Sequence, residues 1–151
     1  MQINTHDQIV KNLFVGNKDS IVETLTFDLV VNCTPDLPFF SHFKKIRIPV
    51  LDVPEYCDEL LEHVKRTDVI DKIHCCLLKD EKVLIHCHAG AQRSCAVAAL
   101  YLIEYYQFTP AEAIYHLRKT RPIAFFGNVN FMNAIEKYYH QLKVLPHKPN
   151  I

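Results

Sequence analysis

The sequence predicts an α/β fold, a mixed β-sheet with helices packed on both of its faces. Three observations carry this expectation. Short apolar runs of strand length occupy the first third of the chain. Longer segments with helical spacing of apolar residues occupy most of the remainder. Between them, one apolar run, Val83-Leu84-Ile85, passes through a tight loop straight into an alanine-rich apolar segment. Strands leading in, a helix crossing over, a further strand and then more helices is the pattern of such a sandwich.

Taken in order, Ile9-Val10 and Leu13-Phe14-Val15 read as two short strands closed by Gly16-Asn17, and Ser20 to Leu25 as a short helix. Phe27 to Cys33 is an apolar run broken by Thr34-Pro35-Asp36, the pattern of a buried strand. Lys45-Ile46-Arg47-Ile48 alternates and stops at Pro49, a less protected strand. Val50 to Tyr56 is a loop with acidic residues. Asp58 then stands as the cap of one long helix from Glu59 to Leu78, with a polar gap at Thr67-Asp68. Lys79 to Lys82 is a charged turn into the central strand. A helix from Ser94 to about Tyr106 follows the central loop. Thr109-Pro110 starts the next, which runs from Ala111 to Lys119 and ends at Arg121-Pro122. A last helix spans about Asn130 to Leu142, and about 143–151 is expected to be a loose tail.

The 151 residues, 49% of them apolar, suffice for one core, so the chain from 1 to 151 is expected to form a single domain. Seventeen Lys and Arg balance seventeen Asp and Glu, which argues against a nucleic-acid partner held by bulk charge. No apolar run approaches the length that spans a bilayer, and the first seven residues carry no secretory signal. The six cysteines include no C-x-x-C pair. Apart from Cys87 they read as buried thiols in a reducing compartment, so an intracellular, cytoplasmic location is expected.

The chemistry concentrates at His86-Cys87-His88-Ala89-Gly90-Ala91-Gln92-Arg93-Ser94. A loop between a strand and the first turn of a buried helix points backbone N–H groups into its own hollow, and the helix dipole adds partial positive charge there. Arg93 adds a bidentate fork suited to phosphate. Such a field favours thiolate over thiol at its floor, where Cys87 stands. The expected roles follow. Cys87 attacks phosphorus in line and forms a cysteinyl-phosphate. The N–H groups of His88, Ala89, Gly90, Ala91, Gln92 and Arg93, with the Arg93 guanidinium, hold the non-bridging oxygens. Gly90 permits the tight turn. Ser94 donates a hydrogen bond to the sulfur and eases its departure. His86 orders the loop. The leaving oxygen needs a proton, and Asp52 is the first candidate to supply it, with Glu55 and Asp58 as rivals. No metal-ligand spacing accompanies the two histidines, so no metal or cofactor is expected.

These residues resemble a family. His86-Cys87 with Arg93-Ser94 matches the H-C-x-x-x-x-x-R-S/T motif of cysteine-dependent protein tyrosine phosphatases, and the flanks are similar to the small dual-specificity phosphatases among them. Asn12-Leu13-Phe14-Val15-Gly16 is similar to an early family stretch, Val30-Val31-Asn32-Cys33 to a family strand, and Ile48-Pro49-Val50-Leu51-Asp52 to the general-acid segment. The resemblance runs from about Ile9 to Tyr139. It implies a five-stranded mixed sheet flanked by helices on both faces. It also implies metal-independent hydrolysis of phosphotyrosine and phosphoserine/threonine in a protein substrate. It carries Cys87 over as nucleophile, Arg93 as phosphate binder, Asp52 as acid, Ser94 as the assisting hydroxyl and Asn128 as the asparagine that braces the phosphate loop. It further suggests Cys33 as a redox partner of Cys87.

There are departures. The spacing from Asp52 to Cys87 is a few residues longer than is usual. The segment from Arg121 to Phe131 lacks the family proline and carries an extra residue. Gln92 stands where many relatives have serine or glycine. Arg118, Lys119 and Arg121 are read either as holders of a second phosphate or as a solvated helix end. Tyr101, Tyr105 and Tyr106 are read as core and rim. An RNA 5′-phosphatase or phosphoinositide phosphatase of the same fold is the first rival reading, weakened by the absence of lysine between Cys87 and Arg93. A catalytically weak phosphoprotein-binding module is the second.

Overall fold

The computed structural model describes residues 2–22, 26–40 and 44–144. Five strands, β1 (His6–Val10), β2 (Leu13–Gly16), β3 (Leu29–Asn32), β4 (Lys44–Arg47) and β5 (Val83–His86), form one sheet in the order β1-β2-β5-β3-β4. β1 and β2 are antiparallel; β2, β5, β3 and β4 are mutually parallel neighbours, so the sheet is mixed. β3 and β5 are wholly buried, which is why they read as continuous apolar runs rather than alternating ones.

The pleat divides the core. Leu13, Val15, Leu29, Val31, Val83 and Ile85 pack with the helices on one face. Phe14, Val30 and Leu84 face the other way, against Ile21, Phe27 and Phe39. The two faces are covered unequally. Five α-helices serve the first: α1 (Cys57–Thr67), α2 (Val69–Leu78), α3 (Arg93–Tyr105), α4 (Pro110–Thr120) and α5 (Met132–Val144). Among the described residues, one 3₁₀ turn, Lys18–Ile21, and loop residues serve the second. That turn stands where a helix over Ser20 to Leu25 was expected; residues 23–25, like 145–151, lie outside the described residues.

α3 is central. Every residue from Arg93 to Ile103 is buried, because alanines at 96, 98 and 99 let neighbouring helices approach closely. α4 begins with a full capping box: Glu112 N–H donates to Thr109 Oγ1 (3.2 Å) and Thr109 N–H to Glu112 Oε1 (2.8 Å).

The long helix expected from Glu59 to Leu78 is two helices. Asp68 breaks it in the left-handed conformation (φ 56°), which short polar residues tolerate best. The cap also differs. Pro54–Tyr56 forms a 3₁₀ turn, so α1 begins at Cys57 without a side-chain cap. Asp58 instead sits in the first turn, where its charge suits the helix dipole, and pairs with Lys137 of α5 at 3.6 Å. The two helices accommodate the long spacing between Asp52 and Cys87.

Register positions the site. Gly16, His86, Asn32 and Arg47 lie in one row across the four parallel strands. The residues that follow, Cys87 and Cys33 among them, leave the sheet together at its carboxyl end, the usual place for an α/β ligand site.

Candidate active site

Cys87 emerges from β5 with 3% of its surface exposed. Its N–H donates to Gly16 O (3.3 Å), and its Sγ lies 3.1 Å from Ser94 Oγ in the first turn of α3. Between them the chain turns sharply, and the direction of its carbonyls decides what the loop can bind. Lys18 N–H donates to His88 O (3.0 Å). Arg121 donates from Nη2 to Ala89 O (3.4 Å) and from Nε to Gly90 O (2.8 Å). Phe125 N–H donates to Ala91 O (2.7 Å), and Ala96 N–H to Gln92 O (2.8 Å). Each carbonyl is thus anchored to the surrounding framework. The N–H groups from His88 to Gln92 donate to no backbone carbonyl among the described residues. A peptide whose carbonyl points outward directs its N–H inward, so the loop is a nest of donors at the positive end of a helix.

Gly90 is required on two counts. Its φ is +67°, and a Cβ there would lie 2.6 Å from both Arg121 Nη2 and Gly16 O. Arg93 is 7% exposed; its Nη1 donates to Val50 O (2.9 Å), while its Nε is buried without a partner among the described residues. A buried guanidinium with an unspent donor beside a ring of N–H groups is a fitting receptor for a tetrahedral oxyanion.

The Val50 bond also draws the segment that carries Asp52 to the cradle. Asp52 is exposed, and its Oδ1 accepts from Asn130 Nδ2 (2.9 Å). Of its rivals, Glu55 lies exposed in the 3₁₀ turn. Asp58 faces Lys137 and lines a cavity of about 710 Å³ between α1 and α5. Asp68, Asp71 and Glu104 line that same cavity, so its charge is wrong for a phosphate ester.

Several expected residues do something other than the sequence suggests. Arg121 neither ends a helix in solvent nor holds a second phosphate. It is fully buried, and besides the two loop carbonyls it donates from Nη1 to Asp7 Oδ2 (2.8 Å) and Asn4 O (3.1 Å). Arg118 donates to Phe125 O (3.0 Å), helping to hold that bulky residue in the left-handed region at φ 54°. Lys119 is exposed. Asn128 reaches the phosphate loop through its carbonyl, which accepts from Gln92 Nε2 (2.6 Å); its side chain donates to Asn130 Oδ1 (2.7 Å). His88 lies half-buried with Nε2 3.1 Å from both oxygens of Asp36, whose carboxyl it holds below the usual range. The tyrosines split as expected: Tyr101 is core, its phenol beside His74 Nδ1 (3.0 Å), Tyr105 is half-buried, and Tyr106 is exposed.

Side chains whose part the sequence did not reveal complete the frame. Asn32 is fully buried. Its Oδ1 accepts from Thr34 N–H and Oγ1, and its Nδ2 donates to Leu37 O, which shapes the loop that presents Asp36. Asn130 and Gln92 join the Asp52 segment to the cradle. Gln92 was expected for its N–H and noted as out of family character, and Asn32 stood in a family-like strand, but the bonds their side chains make were not legible.

His86 is fully buried, and neither ring nitrogen has a partner among the described residues. Burial pushes its pKa down to about 4, and the nearby Arg47 acts in the same direction. The folded value is below the unfolded one near 6.5, so the folded state binds fewer protons between them. The stabilisation is present above pH 6.5 and is lost as pH falls toward 4, on the order of 3 kcal/mol in all. Urea unfolding at a series of pH values should show this decline, and the His86 ring resonances should stay those of a neutral imidazole until about pH 4.

Comparisons with known proteins bear on the family and the fold. The model of the family "Dual specificity phosphatase, catalytic domain" matches residues 13–141. Dual specificity protein phosphatase 18 of Rattus norvegicus is 26% identical over 147 residues, which cover 89% of this chain and 67% of that protein. Dual specificity protein phosphatase 15 of Homo sapiens is 32% identical over 101 residues, covering 67% of this chain and 32% of that protein. The chain thus spans about a third of the latter's length. The crystal structure of human DUSP28 superposes with a TM-score of 0.80 at 23% identity, covering 93% of this chain and 97% of that one, a likeness of fold.

Proposed function

The chain belongs to the dual specificity phosphatase catalytic-domain family of hydrolases, within the protein tyrosine phosphatase superfamily, and on that basis we propose that it hydrolyses phosphotyrosine and phosphoserine/threonine monoesters in proteins through a cysteinyl-phosphate on Cys87. The observation that carries this reading is the outward anchoring of all five loop carbonyls from His88 to Gln92 around a buried cysteine.

In the first step Cys87 Sγ, as thiolate, attacks phosphorus in line. The S–P bond forms as the P–O bond to the leaving group breaks, and Asp52 gives the leaving oxygen its proton. The inward N–H groups and Arg93 hold the three non-bridging oxygens, and such fixed donors stabilise transition-state charge without reorganising. In the second step water attacks phosphorus, Asp52 takes its proton, and the S–P bond breaks. Ser94 Oγ–H, 3.1 Å from Sγ, stabilises the departing thiolate. None of these steps calls for a metal. Of the three cations considered for a second phosphate, Arg121 is engaged in the core and Arg118 on a carbonyl, leaving Lys119 alone exposed, which favours a phosphoprotein over a polyanionic RNA or inositol substrate. Among the described residues no helix is long and apolar enough to cross a membrane.

Asp52→Ala tests the reading. With an aryl phosphate whose leaving group is strongly basic, kcat should fall by about 10²–10⁴-fold, while inhibition by inorganic phosphate is unchanged. Glu55→Ala and Asp58→Ala should leave kcat near that of the parent; a loss in Asp58→Ala instead would reassign the acid.

Cys33 belongs to the same proposal as a reversible redox partner. Its N–H donates to His86 O (2.8 Å), and it follows Asn32 as Cys87 follows His86, at the ends of two paired parallel strands; strands of a sheet lie about 4.8 Å apart, a spacing that a disulfide can bridge. Burial and the nearby Cys87 hold its thiol protonated. Brief peroxide treatment and non-reducing peptide mapping should yield a Cys33–Cys87 peptide; recovery of Cys87 only in higher oxidation states would refute the pairing.

A further inference from the structure

A general acid on an exposed loop has a difficulty that its pKa does not solve. The carboxyl must face the leaving oxygen at the moment the bond breaks, and a solvated aspartate samples many orientations. We propose that Asn130 is the positioning residue for this acid: its side-chain amide ties the Asp52 carboxyl to the phosphate cradle and leaves the acid's proton on Oδ2. This rests on Asp52 being the acid.

The polar groups of Asn130 are engaged on all sides. Its N–H donates to Gln92 Oε1 (2.9 Å), and its carbonyl accepts from Cys57 Sγ (3.8 Å) at the start of α1. Its Oδ1 accepts from Asn128 Nδ2 (2.7 Å). The Asp52 backbone carbonyl, 3.5 Å away, can only accept, so the end of the amide that faces Asp52 is the NH₂ group. Nδ2 accordingly donates to Asp52 Oδ1 (2.9 Å) and lies 3.5 Å from Asp52 O. Gln92 closes the link. It is a buried member of the phosphate loop, and its Nε2 donates to Asn128 O (2.6 Å). An unbroken path of hydrogen bonds thus runs from the cradle through Gln92 and Asn130 to the carboxyl.

Two chemical consequences follow. An oxygen that accepts an N–H bond acts as the carbonyl oxygen of a carboxylic acid, so the proton resides on Oδ2. The donor is also neutral. A lysine or arginine in this place would favour the carboxylate strongly and strip the acid of its proton, whereas an amide orients the group with a far weaker preference for its charged form.

The test is a series of aryl phosphates that differ in leaving-group basicity. Departure of a weakly basic phenoxide needs no proton, so Asn130→Ala should change its kcat/KM, which reports the first step alone, by less than about twofold, while the most basic member of the series loses roughly 10–100-fold. Inhibition by phosphate should stay as in the parent. Asn130→Asp, an isosteric variant that replaces the donor with a second carboxyl, should move the alkaline limb of the pH–rate profile upward, because two adjacent carboxyls share a proton. Adding Asn130→Ala to Asp52→Ala should cost nothing further.

A uniform loss across the series would make Asn130 a mere support of the loop and overturn the proposal, as would no loss at all. Asp52→Ala run beside it separates the two readings. If Asp52→Ala shows the dependence on leaving group and Asn130→Ala does not, only the positioning role fails. If neither shows it, Asp52 is not the acid.

Discussion

Cys87→Ser is expected to lower turnover of an aryl phosphate by about 10⁴–10⁶-fold, the scale on which covalent catalysis fails when its nucleophile is removed. The substitution exchanges one small atom for another at a buried position, and the anchored carbonyls of the loop do not depend on it. A serine hydroxyl remains protonated where a thiol can ionise, so the attacking electron pair is lost and little else. Binding should therefore survive: inorganic phosphate or a phosphopeptide should bind Cys87→Ser within a few-fold of the parent, as isothermal titration would measure. The pairing of lost turnover with kept affinity separates an enzyme from a phosphoprotein-binding module, in which the parent itself would bind without turnover.

Arg121→Met is expected to destabilise the fold by about 3–5 kcal/mol, read from urea unfolding at neutral pH, because one partner of a buried ion pair is removed while the other stays. Asp7, with 14% of its side chain exposed, would be left facing an apolar side chain, and the carbonyls of Asn4, Ala89 and Gly90 would lose donors. A domain of this size has a total stability of about 5–15 kcal/mol, so the change is a large fraction of it. Pairing Arg121→Met with Asp7→Leu removes the stranded charge and should recover part of the stability. The rate should not recover with it. Without Arg121 the Ala89 carbonyl has no other anchor among the described residues and the Gly90 carbonyl keeps only Cys95 Sγ at 3.5 Å, so the inward N–H groups lose their frame and kcat/KM of the folded double variant stays well below that of the parent. Recovery of rate together with stability would mean that Arg121 matters to the fold and not to the cradle.

Arg121 also shows where the sequence stops being informative. The order of strands and helices followed from apolar periodicity, and the cradle followed from a cysteine, a glycine and an arginine within one loop. Those features are local, and a strand–loop–helix unit writes its geometry into adjacent residues. Arg121 belongs to a different kind of contact. Its partners Asn4 and Asp7 lie more than a hundred positions away in the chain, and local sequence presents it only as a cation after a helix. Asn130 is the same case, since its link to Asp52 crosses 78 positions. Asn128 was legible as a brace by resemblance, yet in this chain its carbonyl, not its side chain, meets the phosphate loop. The helix break at Asp68 was visible as a polar gap, but a gap does not reveal a left-handed residue.

The central claim is that phosphate passes through sulfur. Rapid mixing of the enzyme with an aryl phosphate, acid quench within the first turnover and peptide mapping by mass tests this most directly. Ser94→Ala should sharpen the signal, because it removes the hydrogen bond to the departing thiolate and slows the second step. The expected result is a burst of phenol near one equivalent per active site, with one phosphoryl group on the peptide that carries Cys87. A burst with the phosphoryl group on another residue, or steady turnover with no phosphorylated enzyme in Ser94→Ala, would contradict it.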